Sequence, residues 1–343
     1  MTCLIIAEAG VNHNGSEDMA IQLVDAAVTA GADVVKFQTF KAERLVTRHA
    51  EKAAYQKAQT GEGSQFAMLR SLELSGAAYR RLAAYCNDRG IEFLSTPFDA
   101  ESADFLIELG CRRLKIPSGE LTNTPFLRHL AAKGLPIILS TGMADLAEVA
   151  EAVAQISAVR KQAGFCEPLS EMLTLLHCTS NYPTHLADVN LRAMQTLADA
   201  FKLPVGYSDH TAGVLVAPIA RALGAKVVEK HFTLDCSLPG PDHKASVEPA
   251  ELGRMVRAIR DTDVLLGSAE KVPSGSELEV RVVARRSVTL ARDVVAGTPL
   301  AQADLTLMRP GDGIEPANLH TLPGRRLRRS LPVGTTLKWD DLM

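Results

Sequence analysis

The sequence predicts an α/β protein, a (β/α)8 barrel followed by a small, mostly β module, and three observations carry that expectation. Short runs rich in Val, Ile and Leu recur through residues 1–264, each followed by a turn and a longer segment with helical spacing. The runs are apolar throughout, which marks strands buried on both faces. Their strict alternation with helices calls for a parallel sheet, because each crossover must return the chain to the same end. Eight such units are present, the number that closes a barrel.

In order, the strand candidates are 4–7, 34–37, 91–94, 113–116, 137–139, 173–176, 204–207 and 226–229. Helical spacing is most legible over Gly76–Asp88 and 145–163. An open doubly wound sheet shares this alternation, but it would carry a Gly-rich phosphate turn after its first strand. Glu8-Ala9-Gly10-Val11-Asn12-His13 is not such a turn. A linker is expected over 265–280, where Leu266-Gly267-Ser268 and Pro273-Ser274-Gly275-Ser276 punctuate the chain. Residues 281–343 then run in short segments between Gly and Pro turns. Over 280–343 ten Arg and Lys face six Asp and Glu, a net +4 against −7 for the remainder. That difference favours docking of module and barrel, or leaves Arg325, Arg326, Arg328 and Arg329 as a solvated basic face.

The composition points to small-molecule chemistry. Hydrophobic residues make up 46% and charged residues 22%, with a formal net charge of −3, so no global field draws nucleic acid or an anionic membrane. The six cysteines form no Cys-x-x-Cys pair, which argues against a zinc cage or disulfide framework and suits a reduced, cytoplasmic protein. The opening apolar run is too short for a signal peptide, and no stretch approaches the ~20 apolar residues of a membrane span.

Barrel chemistry sits at the C-terminal ends of strands, and all eight candidates end in polar residues. These are Glu8; Lys36 and Gln38; Ser95 and Thr96; Lys115, Ser118 and Glu120; Ser140 and Thr141; His177, Thr179, Ser180, Asn181 and Tyr182; Ser208, Asp209 and His210; Glu229, Lys230 and His231. Lys36 and Lys115 with the hydroxyls suit an anion bearing both a carboxylate and a phosphate. Lys230 adjoins His231 and is expected to point into the opposite layer. His210 and His231 end neighbouring strands and suit an exchangeable divalent ion acting as a Lewis acid. Glu8 and Glu120 read as base or orienter, or as partners of the lysines. His13 reads as a loop hydrogen bond or a substrate contact, and His177 as a core histidine.

The chain resembles the N-acetylneuraminate (sialic acid) synthase family over nearly its whole length. The matching stretches begin with Ile6-Ala7-Glu8-Ala9-Gly10-Val11-Asn12-His13-Asn14-Gly15, Val35-Lys36-Phe37-Gln38, Ser95-Thr96-Pro97-Phe98 and Lys115-Ile116-Pro117-Ser118-Gly119-Glu120. They continue with Ser140-Thr141-Gly142-Met143, His177-Cys178-Thr179, Tyr182-Pro183-Thr184, Ser208-Asp209-His210-Thr211, Glu229-Lys230-His231-Phe232-Thr233 and Gly240-Pro241-Asp242-His243. The C-terminal module resembles the family's antifreeze-like (SAF) domain, through Arg309-Pro310-Gly311-Asp312-Gly313-Ile314.

The resemblance implies a metal-dependent synthase that condenses phosphoenolpyruvate with an open-chain N-acylated hexose. It implies a phosphoenolpyruvate site of Lys36, Thr96, Lys115, Ser118, Ser140, Ser180 and Tyr182. It places Glu8, Gln38, Asp242 and Arg309 on the sugar side and makes Glu120, Glu8 and Asp242 the catalytic carboxylates, with Glu120 handling the water. It puts manganese, or alternatively magnesium or cobalt, on His210 and His231. It implies a domain-swapped homodimer in which the partner's Arg309 reaches the acylamino group. N-acetylmannosamine is the favoured acceptor, giving N-acetylneuraminate, and 2,4-diacetamido-2,4,6-trideoxymannose, giving legionaminate, is the alternative. Competing readings are a Schiff-base aldolase built on a strand-end lysine and an ice- or ligand-binding protein reusing the C-terminal fold. The insertion at 41–74, with Tyr55, Gln56 and Gln65, reads as a lid or as a solvent-exposed helix pair.

Overall fold

The computed structural model describes residues 2–343, apart from the side chain of Tyr55, which lies outside the described residues. Two compact units divide it, Met1–Gly267 and Ser268–Met343.

In the first unit eight parallel strands run in the order β3-β2-β1-β8-β7-β6-β5-β4, and β3 lies beside β4 to complete the ring. They are β1 (Leu4–Gly10), β2 (Val34–Thr39), β3 (Glu92–Pro97), β4 (Leu114–Ile116), β5 (Ile137–Ser140), β6 (Leu173–His177), β7 (Val205–Asp209) and β8 (Val227–His231). Most continue past the last apolar residue of the sequence reading. Their polar C-terminal residues are ladder residues, and alternate ones face the barrel mouth.

Side-chain alternation explains what lies where. Ile5, Ala7, Val35, Phe37, Tyr207 and Val228 point outward and pack under the helices in the main core. Ile6, Val34, Leu94, Ile138, Leu176 and Val227 point inward and fill the lower barrel with a separate apolar layer. Gly206 completes that layer with bare backbone, since a Cβ there would lie 2.4 Å from Val227 O and 2.6 Å from Leu176 Cδ2. Each of these inward side chains is worth about 1.5–3 kcal/mol of burial. Two residues further along each strand, on the same inward face, stand Glu8, Lys36, Thr96, Ser140, Cys178, Ser208 and Glu229.

The helices take their places by ordinary caps and faces. Glu17–Ala30 starts where Ser16 Oγ accepts from Met19 N, stops at Gly31 with φ +81°, and buries Ala20, Leu23, Val24 and Ala27. As expected, Lys230 points away from the mouth. It is fully buried, 3.0 Å from Asp209 Oδ2, and its Nζ also donates to Thr211 O at 2.5 Å.

The 41–74 insertion forms three short helices, Ala42–Leu45, Ala54–Thr60 and Gln65–Ser71. Met68 and Leu72 are buried with Val11 and Phe40, and Leu45, Leu69 and Phe98 pack against them. The segment is therefore packed onto the loops after β1 and β2 and is not a solvent-exposed pair. Lys52 ties it internally, its Nζ donating to Thr60 Oγ1 at 2.8 Å and Gly61 O at 2.9 Å.

The second unit corrects one expectation. Its first element is a helix, Gly275–Ala284, where the sequence reading has the end of the linker and the start of the β module. Ser274 begins the helix rather than a turn, its backbone N–H donating to Glu277 Oε2 at 2.8 Å. Beyond it, β9 (Ser287–Leu290) and β10 (Leu305–Met308) form an antiparallel ribbon over a core of Val288, Leu290, Leu305, Ile314, Leu327 and Leu337.

Candidate active site

The inward polar layer floors a cavity of about 320 Å³ at the C-terminal end of the barrel. Four ionisable groups sit at its base. Lys36 Nζ is 2.8 Å from Glu8 Oε2 and 3.6 Å from Glu229 Oε2, and donates to Thr96 Oγ1 at 2.9 Å. Lys115 Nζ donates to Ser140 Oγ at 2.7 Å and lies 3.8 Å from Glu229 Oε1. Ser208 Oγ donates to that same Oε1 at 2.9 Å.

The environment separates the two carboxylates. Burial would raise the pKa of Glu229, but Lys115 and Lys36 outweigh it and hold the group at about 2. At Glu8 burial dominates, reinforced by the like charge of Glu229, and raises the carboxyl to about 7 against the pull of Lys36. Burial also pulls Lys115 downward, against the carboxylates that favour its charge.

Beside the lysines lies a cradle of small donors. Gly142 N donates to Ser118 Oγ at 3.0 Å, and Cys178 Sγ is 3.3 Å from the same hydroxyl. A Cβ on Gly142 would approach Ser180 Oγ to 2.6 Å and Ser118 Oγ to 2.8 Å, so only glycine lets the two serines converge. Two lysines and three serines thus surround a space suited to a small, multiply charged anion.

His210 and His231 meet as the sequence predicts, with ring centroids 5.4 Å apart and Tyr182 4.2 Å and 5.5 Å from them. His210 Nδ1–H donates to Thr179 O at 2.6 Å, which leaves Nε2 as the lone-pair nitrogen, 3.2 Å from Tyr182 OH. Burial lowers His210 to about 4 and takes His231 well below the usual histidine range. Both rings are therefore neutral at pH 7, and buried His231 Nδ1 has no hydrogen-bond partner. Two neutral, convergent imidazoles with an orphaned nitrogen fit a divalent cation. Among the described residues no group of three or more His, Cys, Asp or Glu side chains could hold one, so water or substrate oxygens would complete its shell.

Asp242 also lines the cavity, its carboxyl raised by burial to about 6, and Gln38 Nε2 donates to Glu8 Oε1 at 3.3 Å. Glu120 is not brought in. It ends a 3-10 turn, Ser118–Glu120, in which Ser118 and Gly119 face the cavity while the Glu120 carboxylate accepts from Asn123 Nδ2 at 2.6 Å. Arg309 is an exposed residue directly after β10 in the second unit. His13 is a loop residue whose Nδ1 accepts from Gly15 N at 3.0 Å, and His177 Nε2 bonds Val189 O at 2.8 Å; neither lines the cavity.

Several lining residues have no assigned role in the sequence reading: Glu229, Ser208 and, from the insertion, Met68, Leu69 and Leu72; Gln56, read there as part of a lid, lines the cavity as well. The signal for two of them was strand parity. Glu229 and Ser208 stand two residues before His231 and His210, and so share their face.

The NeuB family model matches residues 23–271 and the SAF domain model residues 285–343. The chain is 56% identical to an N,N'-diacetyllegionaminic acid synthase from Legionella pneumophila, over all of this chain and 95% of that protein. It is 47% identical to another N,N'-diacetyllegionaminic acid synthase, from Campylobacter jejuni, over 91% of each. Among solved structures, the N-acetylneuraminic acid (sialic acid) synthetase from Leptospira borgpetersenii superposes with a TM-score of 0.69 at 33% identity, covering 82% of this chain and 90% of that one. Barrel, polar layer and C-terminal module together with these matches place the chain in the NeuB family, with a C-terminal SAF domain.

Proposed function

We propose that the protein is a nonulosonic acid synthase that condenses phosphoenolpyruvate with open-chain 2,4-diacetamido-2,4,6-trideoxymannose, giving N,N'-diacetyllegionaminate and phosphate. The observation that carries this acceptor is the 56% full-length identity to a synthase named for that product. It moves the reading from N-acetylmannosamine, which the sequence alone favoured, to the alternative. The polar layer supports the donor.

In this reading Lys36, Lys115, Thr96, Ser140 and the Ser118–Ser180 cradle bind the carboxylate and phosphate of phosphoenolpyruvate and hold its C3 toward the sugar aldehyde. A new bond forms between C3 and the aldehyde carbon, the aldehyde oxygen takes up a proton, and positive character builds at C2. Glu229, held ionised beneath Lys36 and Lys115, stabilises that charge. Water adds at C2 and gives its proton to Glu8, which is suited to the exchange near neutral pH. The C2–O bond to phosphate then breaks, the electron pair leaves with phosphate, and the added hydroxyl loses its proton to become the keto oxygen. A divalent ion such as manganese on His210 and His231 supplies Lewis acidity toward the aldehyde oxygen when bound. Asp242 and Gln38 orient the sugar, and the partner's Arg309 reaches its acylamino group in a swapped dimer within the cytoplasm.

The test is phosphate release from phosphoenolpyruvate with manganese and each acceptor in turn. Higher kcat/KM with the diacetamido sugar is expected. Preference for N-acetylmannosamine overturns the acceptor, and release with neither overturns the synthase.

A further inference from the structure

The cavity is asymmetric. Its donor cradle belongs to the β4, β5 and β6 side, through Lys115, Ser118, Ser140, Gly142 and Ser180. The β1 to β3 side carries a different surface. There Val11, from the loop after β1, and Phe98, from the loop after β3, join Met68, Leu69 and Leu72 of the insertion in an apolar wall. Gln56 lies on the same lining and is buried. Its Oε1 is occupied, accepting from Ala53 N at 3.0 Å and from Gln65 Nε2 at 3.3 Å. Its amide N–H groups have no partner among the described residues and remain as donors.

Resting on the synthase reading above, we infer that this wall is the determinant of acceptor specificity. Val11, Met68, Leu69, Leu72 and Phe98 receive the C6 methyl group, and Gln56 Nε2 donates to the carbonyl of the C4 acylamino group. A hexose with a C6 hydroxyl would bury that group among carbon atoms without a partner. A hexose with a C4 hydroxyl would leave the shorter reach to Gln56 unfilled. The insertion is thus an acceptor-reading element built onto a barrel whose floor handles phosphoenolpyruvate.

The inference is tested with three acceptors differing at one carbon each: N-acetylmannosamine, 2-acetamido-2,6-dideoxymannose and 2,4-diacetamido-2,4,6-trideoxymannose. Wild type should favour the 6-deoxy over the 6-hydroxy sugar by roughly 10- to 100-fold in kcat/KM, the range available to an apolar pocket facing one extra hydroxyl. Leu69 is half-buried, so Leu69→Gln is compatible with the fold and should collapse that ratio to a few-fold, while Leu69→Met preserves it. Gln56→Leu should diminish the preference for the C4 acylamino group and leave the C6 ratio in place. Wild-type ratios in both Leu69→Gln and Gln56→Leu, with wild type still preferring the diacetamido sugar, overturn the subsite but leave the synthase reading standing. No turnover of any acceptor by wild type overturns both.

Discussion

Glu8 and Glu120 carry the sharpest residue-scale question, because only one of them lines the cavity. Glu8→Gln should lower kcat by roughly 10²- to 10⁴-fold, the usual worth of a positioned proton acceptor, and Glu120→Gln by less. The reverse order would return the water-handling role to Glu120, released from Asn123. In the sequence Glu120 reads as a site residue because it closes a motif at a strand end. Sequence does not show that a 3-10 turn follows, and that turn decides which of three consecutive residues faces inward. His13 gives a stability prediction. Burial lowers its pKa from 6.5 to about 4, so folding favours the neutral ring. That contribution is complete above about pH 6.5 and is lost as pH falls toward 4, amounting to about 3 kcal/mol at most. Denaturant unfolding of wild type and His13→Gln across this range should show a shallower decline in the variant; parallel curves would remove His13 as a source.

At the scale of elements, each strand has two functions divided by parity. Inward residues pass from an apolar layer to a polar one within two positions, as Val34 to Lys36 and Val227 to Glu229. Outward residues hold the helices, and there the Lys230–Asp209 pair is buried at 3.0 Å. Lys230→Met leaves Asp209 without its cation and should cost about 3–5 kcal/mol in thermal or urea unfolding. A loss below 1 kcal/mol would mean that the Thr211 hydrogen bonds alone satisfy the carboxylate. In the loop after β5, Gly142→Ala should raise KM for phosphoenolpyruvate at least ten-fold with little change in melting temperature, since the added Cβ crowds Ser118 and Ser180. An unchanged KM would remove the cradle from the donor site. The strands were legible because buried parallel strands are apolar runs. Their exact ends were less so, because polar residues past the last apolar one, such as Glu8, Gln38 and Thr96, read equally as strand or as loop. The insertion was legible as a lid or a helix pair, but its apolar wall was not, since Met68, Leu69 and Leu72 face a cavity that forms when the barrel closes.

For the whole molecule, barrel closure makes chemistry from residues spread over more than two hundred positions, from Glu8 to Asp242. Eightfold alternation showed the architecture, and strand ends showed the two lysines and two histidines. The helix Gly275–Ala284 is not legible in the sequence because the residues at its start, Pro273-Ser274-Gly275-Ser276, are equally turn and cap. The proposed swapped dimer has its own test. Co-expression of Arg309→Ala with Glu8→Gln should restore activity that neither variant has alone, because a mixed dimer regains one complete site; absence of complementation would mean that each chain serves its own sugar.

In the proposed reaction this polar layer drives carbon–carbon bond formation with loss of phosphate by C–O cleavage. That cleavage is tested most directly with phosphoenolpyruvate carrying ¹⁸O in the bridging C2–O bond, turned over with the diacetamido sugar and analysed by mass spectrometry. The label is expected to leave with phosphate, and the keto oxygen of the nine-carbon acid to come from water. Label retained in the keto acid would contradict C–O cleavage, since water would then have attacked phosphorus instead of C2.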